Sequence, residues 1–135
     1  MTHPDTQPKV PILFIASGSS AGGAEVHLAR LVRELAHGAY RITVLCKQGS
    51  FLERTLTGQS VDIWTADIPH WRKLGGRLRM PFFISRMTAK AKRASIALVV
   101  SNDFRTAPHA LSIAEKMGIP TVSMIQDSIV DAKKS

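Results

Sequence analysis

Five short apolar runs, at residues 10–16, 41–46, 61–66, 95–101 and 120–125, are each separated from the next by fourteen or more residues. A hairpin joins antiparallel strands in a few residues, whereas parallel strands need a long crossover, usually helical. The connections carry that helical pattern. In residues 24–37 Leu28, Leu31, Val32 and Leu35 fall on one face while Arg30, Arg33, Glu34 and His37 fall elsewhere, and Gly38 follows as a stop. Residues 50–58 open on a capping box, Ser50 with Glu53, and end at Gly58. A third helix is expected to begin near Pro81, with Phe83, Ile84, Met87, Ala91 and Ala94 on its core face, and a fourth, capped by Thr106 with Pro108 in its first turn, to run to Gly118. The order β-α-β-α-β-α-β-α-β predicts an α/β fold: a Rossmann-like, doubly wound, mainly parallel sheet of about five strands with helices on both faces. Residues 61–66 alternate in polarity, as an edge strand does.

One such sheet accounts for the whole chain. Residues 1–9 read as a flexible lead-in, 10–127 as the single domain, and 128–135 as a tail or the start of a further segment. A lone cysteine, Cys46, excludes a disulfide framework, and no Cys/His set has zinc spacing, so no metal is expected. The start lacks the layout of a signal peptide and no apolar run approaches the ~20 residues that span a bilayer, which makes the cytoplasm the expected location.

Charge is concentrated. Residues 70–93 hold Arg72, Lys73, Arg77, Arg79, Arg86, Lys90, Lys92 and Arg93 and no acid, while the other ten basic residues match the ten acids, so this segment holds the whole net charge of +8. Three readings stay open: a solvated helix face, a membrane-surface contact in which Trp71, Phe82 and Phe83 lie among the cations, or a nonspecific hold on nucleic acid. No helix-turn-helix or stacking-platform pattern accompanies it, so no specific nucleic-acid partner is expected.

The loop after the first strand, "GSSAGGAEVH", lies where an open parallel sheet gathers ligands, beside the switch point that the first strand borders. Backbone N–H groups at the start of the following helix favour an anion, and Gly22 and Gly23 permit close approach. Gly18 and Gly23 have P-loop spacing, but Ala24-Glu25 replace the Lys-Ser/Thr pair. A dinucleotide fingerprint fails at its second glycine and lacks an acid after the second strand, where Cys46-Lys47 stand. The plainer alternative is a tight strand-to-helix turn with no ligand.

The stretches "GGAEVHLARLVRELAHGAYRITVLC" and "VVSNDFRTAPHALSIAEKMGIPTVSMIQD" resemble the N-terminal domain of family-4 glycosyltransferases of the GT-B fold. That resemblance covers roughly residues 10–127 and implies the acceptor-side lobe of a two-lobed enzyme that moves a sugar from a nucleotide-sugar donor to a lipid-linked or glycan acceptor, with no metal and no permanent cofactor. By the same analogy Gly22 and Gly23 meet the donor phosphate, Glu25 shapes their loop, and Asp103, Gln126 and Asp127 line the cleft. Gln126 stands where the family commonly has histidine, and an amide cannot shuttle a proton as imidazole does. The family's paired glutamates, eight positions apart in the C-terminal lobe, have no counterpart in this sequence. A chain lacking that lobe is expected to be inactive alone, and no catalytic residue is assigned.

The membrane reading assigns Trp71, Arg72, Lys73, Arg77, Arg79, Phe82, Arg86, Lys90 and Arg93 to the anionic surface, a contact that lipid-linked acceptors would favour. The competing class is a nonenzymatic module that binds a membrane or polyanion through these residues and uses the glycine loop only as a turn. His27 reads as a surface residue rather than a base and His109 likewise, the alternative for His109 being a side chain toward the cleft end; Cys46 reads as a small buried apolar residue, and Met80, Met87, Met117 and Met124 as core fillers.

Overall fold

The computed structural model describes residues 8–18 and 22–124. Nine elements alternate strictly: β1 (Val10–Ile15), α1 (Gly23–Ala36), β2 (Tyr40–Cys46), α2 (Phe51–Leu56), β3 (Asp62–Thr65), α3 (Leu74–Arg93), β4 (Leu98–Ser101), α4 (Ala107–Met117) and β5 (Thr121–Ser123). The strands form one five-stranded sheet in the order β3-β2-β1-β4-β5, and every pairing is parallel. This is the Rossmann-like fold the alternation predicts, with β3 on an edge.

Successive residues of a strand point to opposite faces. In β1, Ile12 and Phe14 join Leu28, Val32, Val44, Leu52 and Leu56 under α1 and α2, whereas Leu13 and Ile15 join Ile84, Met87, Val99 and Ile113 under α3 and α4. Two cores therefore share one sheet, which explains why the central strands are apolar without alternation.

Two element boundaries depart from the sequence expectation. α3 begins at Leu74, a full seven residues before Pro81, which lies inside the helix. An internal proline loses one backbone bond and clashes with the preceding turn, costing about 3 kcal/mol. Burial of Phe83, Ile84 and Met87 against the sheet contributes about 1.5–3 kcal/mol each, so packing outweighs the proline. The fourth strand begins at Leu98, because residues before it close α3: the Ile96 N–H bonds the Ala91 carbonyl (3.0 Å), the Ser95 N–H bonds that of Lys92 (3.1 Å), and Ser95 takes φ 56°.

The caps also differ in detail. Ser50 Oγ accepts from the Glu53 N–H (3.3 Å), as a capping box requires, but the Glu53 carboxylate takes the Gly49 N–H (2.6 Å). Ser50 directs its own N–H to the Lys47 carbonyl (3.1 Å), leaving the glutamate its neighbour. Thr106 precedes α4 but its side chain does not cap the helix. Asp103 does the capping, since its Oδ1 accepts from both the N–H and the hydroxyl of Thr106, each at 2.9 Å.

Candidate functional site at the carboxyl end of the sheet

Strand order reverses between β1 and β4, whose register runs Ile12 opposite Leu98 to Ile15 opposite Ser101. The chain leaves β1 through Ser17 and Gly18 and leaves β4 through Asn102 and Asp103, so these residues border the crevice where such sheets bind ligands.

The glycine loop is built around one carboxylate. A Cβ at Gly18 would run into Glu25 Oε1, with Cδ at 2.7 Å, and one at Gly22 would come within 2.9 Å of Oε2. Glu25 is in the first turn of α1, where a negative charge meets the positive end of the helix. Gly18 and Gly22, the described ends of the loop, therefore close on this acid. Gly22 and Gly23 are exposed, and a Cβ on Gly23 would meet nothing within 4 Å. The described part of the loop is open to an incoming group on that side.

Asp103 braces the other wall. Its Oδ2 accepts from the Ser17 hydroxyl (3.1 Å) and the Ser17 N–H (3.4 Å), while Oδ1 caps α4. Both oxygens are occupied, so this half-buried carboxylate ties the end of β1 to the start of α4. Beside it Asn102 is buried, and among the described residues neither its amide oxygen nor its nitrogen has a partner. Sequence reasoning passed Asn102 by, because only packing distinguishes it from any polar residue after a strand. Gln126 and Asp127 lie outside the described residues.

A third loop, residues 66–73, reaches the same end of the sheet from β3. His109, fully buried on α4, holds it: Nε2 lies 2.7 Å from the Pro69 carbonyl, to which it donates, and Phe83 meets the ring edge-on at 5.7 Å. Burial pushes the His109 pKa down, and the bond to Pro69 offsets this only in part. His109 is thus a structural clamp. Gly76 seats the loop from below, since a Cβ there would strike the His70 carbonyl oxygen, with the His70 nitrogen at 2.7 Å.

The basic segment divides by position. Leu74, Leu78 and Phe82 are 72%, 67% and 78% exposed, and their spacing of four puts them on the outward face of α3, with Arg77 and Arg86 also exposed. Leu74 and Leu78 were not singled out from sequence because the helix was expected to start after them. Other expected surface residues are engaged elsewhere. Arg79 pairs with Asp67 at 3.0 Å, Lys90 lies 4.7 Å from the Trp64 ring centre, and Arg72 lies 5.0 Å from that of Trp71, which is half-buried. Phe83 is in the core, so it is unavailable to a lipid surface. Lys73 and Arg93 are exposed.

Among the described residues no group of three or more metal-ligating side chains occurs, and no helix is long and apolar enough to cross a membrane.

The fold is Rossmann-like, with a glycine loop opening the first helix at the switch point. Residues 21–132 match the model of glycosyltransferase family 4, and the chain belongs to that family, corresponding to its N-terminal domain. Among solved structures it is similar to MurG of Acinetobacter baumannii, with TM-score 0.66 and 19% identity over 86% of this chain and 34% of that one. Anabaena Alr3699/HepE in complex with UDP is similar with TM-score 0.63 and 16% identity, over 84% of this chain and 29% of that one. The lipopolysaccharide outer core galactosyltransferase WaaB has TM-score 0.63 and 17% identity, over 86% and 33%. The chain thus spans about a third of the length of these structures. No curated protein matches it significantly.

Proposed function

We propose that the chain is the acceptor-side lobe of a glycosyltransferase that moves a sugar from a nucleotide-sugar donor to a lipid-linked or glycan acceptor, working at a membrane surface. The observation that carries this reading is the open Gly22-Gly23 edge of a loop seated at the switch point of a family-4 chain. A module using the loop only as a turn has no need of that opening. Similarity to a structure holding UDP supports a uridine nucleotide among donors to try.

In this reading the N–H groups opening α1 stabilise the departing diphosphate as the sugar–phosphate bond stretches, and Glu25 holds the loop in shape for it. Asp103 keeps β1 and α4 in register around the crevice, both of its oxygens accepting hydrogen bonds. A second lobe supplies the remaining donor contacts, so the isolated chain transfers no sugar and needs no metal. The outward face of α3 holds the lobe on the inner face of the membrane: Leu74, Leu78 and Phe82 enter the headgroup region and the cations around them meet anionic lipid.

The test is a titration of the isotope-labelled chain with UDP-sugars, followed through the backbone amides of Gly18, Gly22 and Gly23. Saturable shifts confined to those amides are expected, with no transfer to lipid extracts until a family-4 C-terminal lobe is added. Vesicle binding without any response of the loop to the nucleotide sugars tried, and without transfer after that lobe is added, would favour the nonenzymatic module.

A further inference from the structure

The polar side chains where β1 and β4 end are paired with one another, and one buried amide is left over. Asp103 accepts from the Ser17 and Thr106 hydroxyls (3.1 and 2.9 Å), and Ser101 Oγ donates to Ser123 Oγ (2.9 Å). Asn102, between Ser101 and Asp103, is 4% exposed, and among the described residues its Oδ1 and Nδ2 meet no partner. A buried amide with both ends unbonded destabilises the fold unless something bonds it.

The strand ladders settle which way that side chain faces. The Asn102 N–H bonds the Ile15 carbonyl (2.9 Å) and the Met124 N–H bonds the Ser101 carbonyl (2.8 Å), so both pairings of β4 continue past its last residue. Alternation therefore holds through Asn102. Val100, two residues earlier, belongs with Ala16 and Met124 to the core under α1, whereas Val99 belongs to the opposite core. Asn102 faces the α1 side. There α1 begins without a side-chain cap at Gly22, and the N–H groups of Gly23, Ala24 and Glu25 precede its first backbone bond, Val26 N–H to the Gly22 carbonyl (3.0 Å). The amide and the open helix start share one face and one end of the sheet.

We infer that the Asn102 amide is a specificity contact for two adjacent hydroxyls of the sugar held in this crevice. An amide presents an acceptor and a donor side by side. A phosphate oxygen satisfies only Nδ2 and sets its charge against Oδ1, and an ammonium group satisfies only Oδ1. Neighbouring hydroxyls of a pyranose match both, since one donates to Oδ1 while the other accepts from Nδ2. The start of α1 takes the anionic part of a ligand and Asn102 the neutral part. Burial sharpens the discrimination, because a ligand lacking one hydroxyl leaves a desolvated amide atom unpaired. This inference rests on the glycosyltransferase reading in calling the ligand a sugar. Donor and acceptor sugars offer the same hydroxyls, and the test separates them.

The readout is the pair of Asn102 side-chain NH2 signals in the isotope-labelled full chain, assigned by their loss in Asn102→Leu. UDP, UDP-glucose, UDP-galactose, methyl glucoside and methyl galactoside are titrated in turn. A saturable shift with a sugar-bearing compound and none with UDP alone is expected; response to the UDP-sugars only identifies the donor sugar, and response to the methyl glycosides the acceptor. Among monodeoxy forms of the responding sugar, loss of either of two adjacent hydroxyls should weaken binding about tenfold or more. Equal shifts with UDP, or none with any sugar, would overturn the contact. Urea unfolding gives an independent check: because the amide is unbonded in the free chain, at least one of Asn102→Leu and Asn102→Val should raise the midpoint while weakening sugar binding about tenfold. A lower midpoint in both variants shows an amide bonded within the chain and removes the proposal. Asn102 signals that follow the methyl glycosides while Gly22 and Gly23 ignore every UDP-sugar uphold the contact and sink the donor reading, and a loop response without Asn102 does the reverse.

Discussion

At the scale of single residues, glycine matters for what an added methyl would strike. At Gly18 it meets the end of the flexible Glu25 side chain, which can swing away, whereas at Gly76 it meets the His70 backbone, which cannot. Gly76→Ala is therefore expected to cost about 1–3 kcal/mol in urea unfolding and Gly18→Ala well under half of that; equal costs would show that the His70 loop yields as easily as a side chain. Asp103→Ala removes the α4 cap and the Ser17 bonds together and should cost about 2 kcal/mol by the same measurement. His109 makes stability depend on pH with a definite sign. Its native pKa lies below the 6.5 of free imidazole, so on acidification the unfolded chain takes the proton first. The stabilisation is complete above about pH 6.5 and is lost as pH falls through the native value. The unfolding midpoint should drop as pH falls below about 6.5, and His109→Leu should flatten that slope even if it lowers the midpoint throughout. None of the contacts at Gly76 or His109 was legible in the sequence, since each joins residues whose proximity depends on how loops close.

Among the elements, α3 is where pattern and packing disagreed. Two glycines and a proline lower the helix propensity of its first half, so the apolar spacing of Leu74, Leu78 and Phe82 was the one signal of the early start. The inward side chains of the second half supply the burial that carries the helix through Pro81. Outward, the stripe has nothing to gain from the fold. Leu78→Asp should leave the unfolding free energy within about 0.5 kcal/mol of the parent. Binding to anionic vesicles should fall about tenfold or more, because a buried leucine contributes about 1.5–3 kcal/mol. Sedimentation with vesicles checks this, and undiminished binding would reduce the contact to charge alone, leaving it strongly dependent on salt.

For the whole molecule, the chain belongs to glycosyltransferase family 4 yet spans about a third of its structural relatives. The crevice has one wall in this sheet, and sugar transfer by the purified chain with no second lobe would contradict the proposed division of labour. Sequence alone determined the element order, the parallel sheet, the two-sided core and the place of the glycine loop, because these follow from periodicity and connection length, which are local properties of the chain. Tertiary structure alone decided that Asp103 is a brace, that Glu25 lies against Gly18 and Gly22, that His109 clamps the loop at Pro69, and that Phe83 is core while Leu74 and Leu78 face outward. Those outcomes depend on which distant segments the sheet brings together, and burial, hydrogen bonding and charge repulsion are settled only by the neighbours a residue finally has.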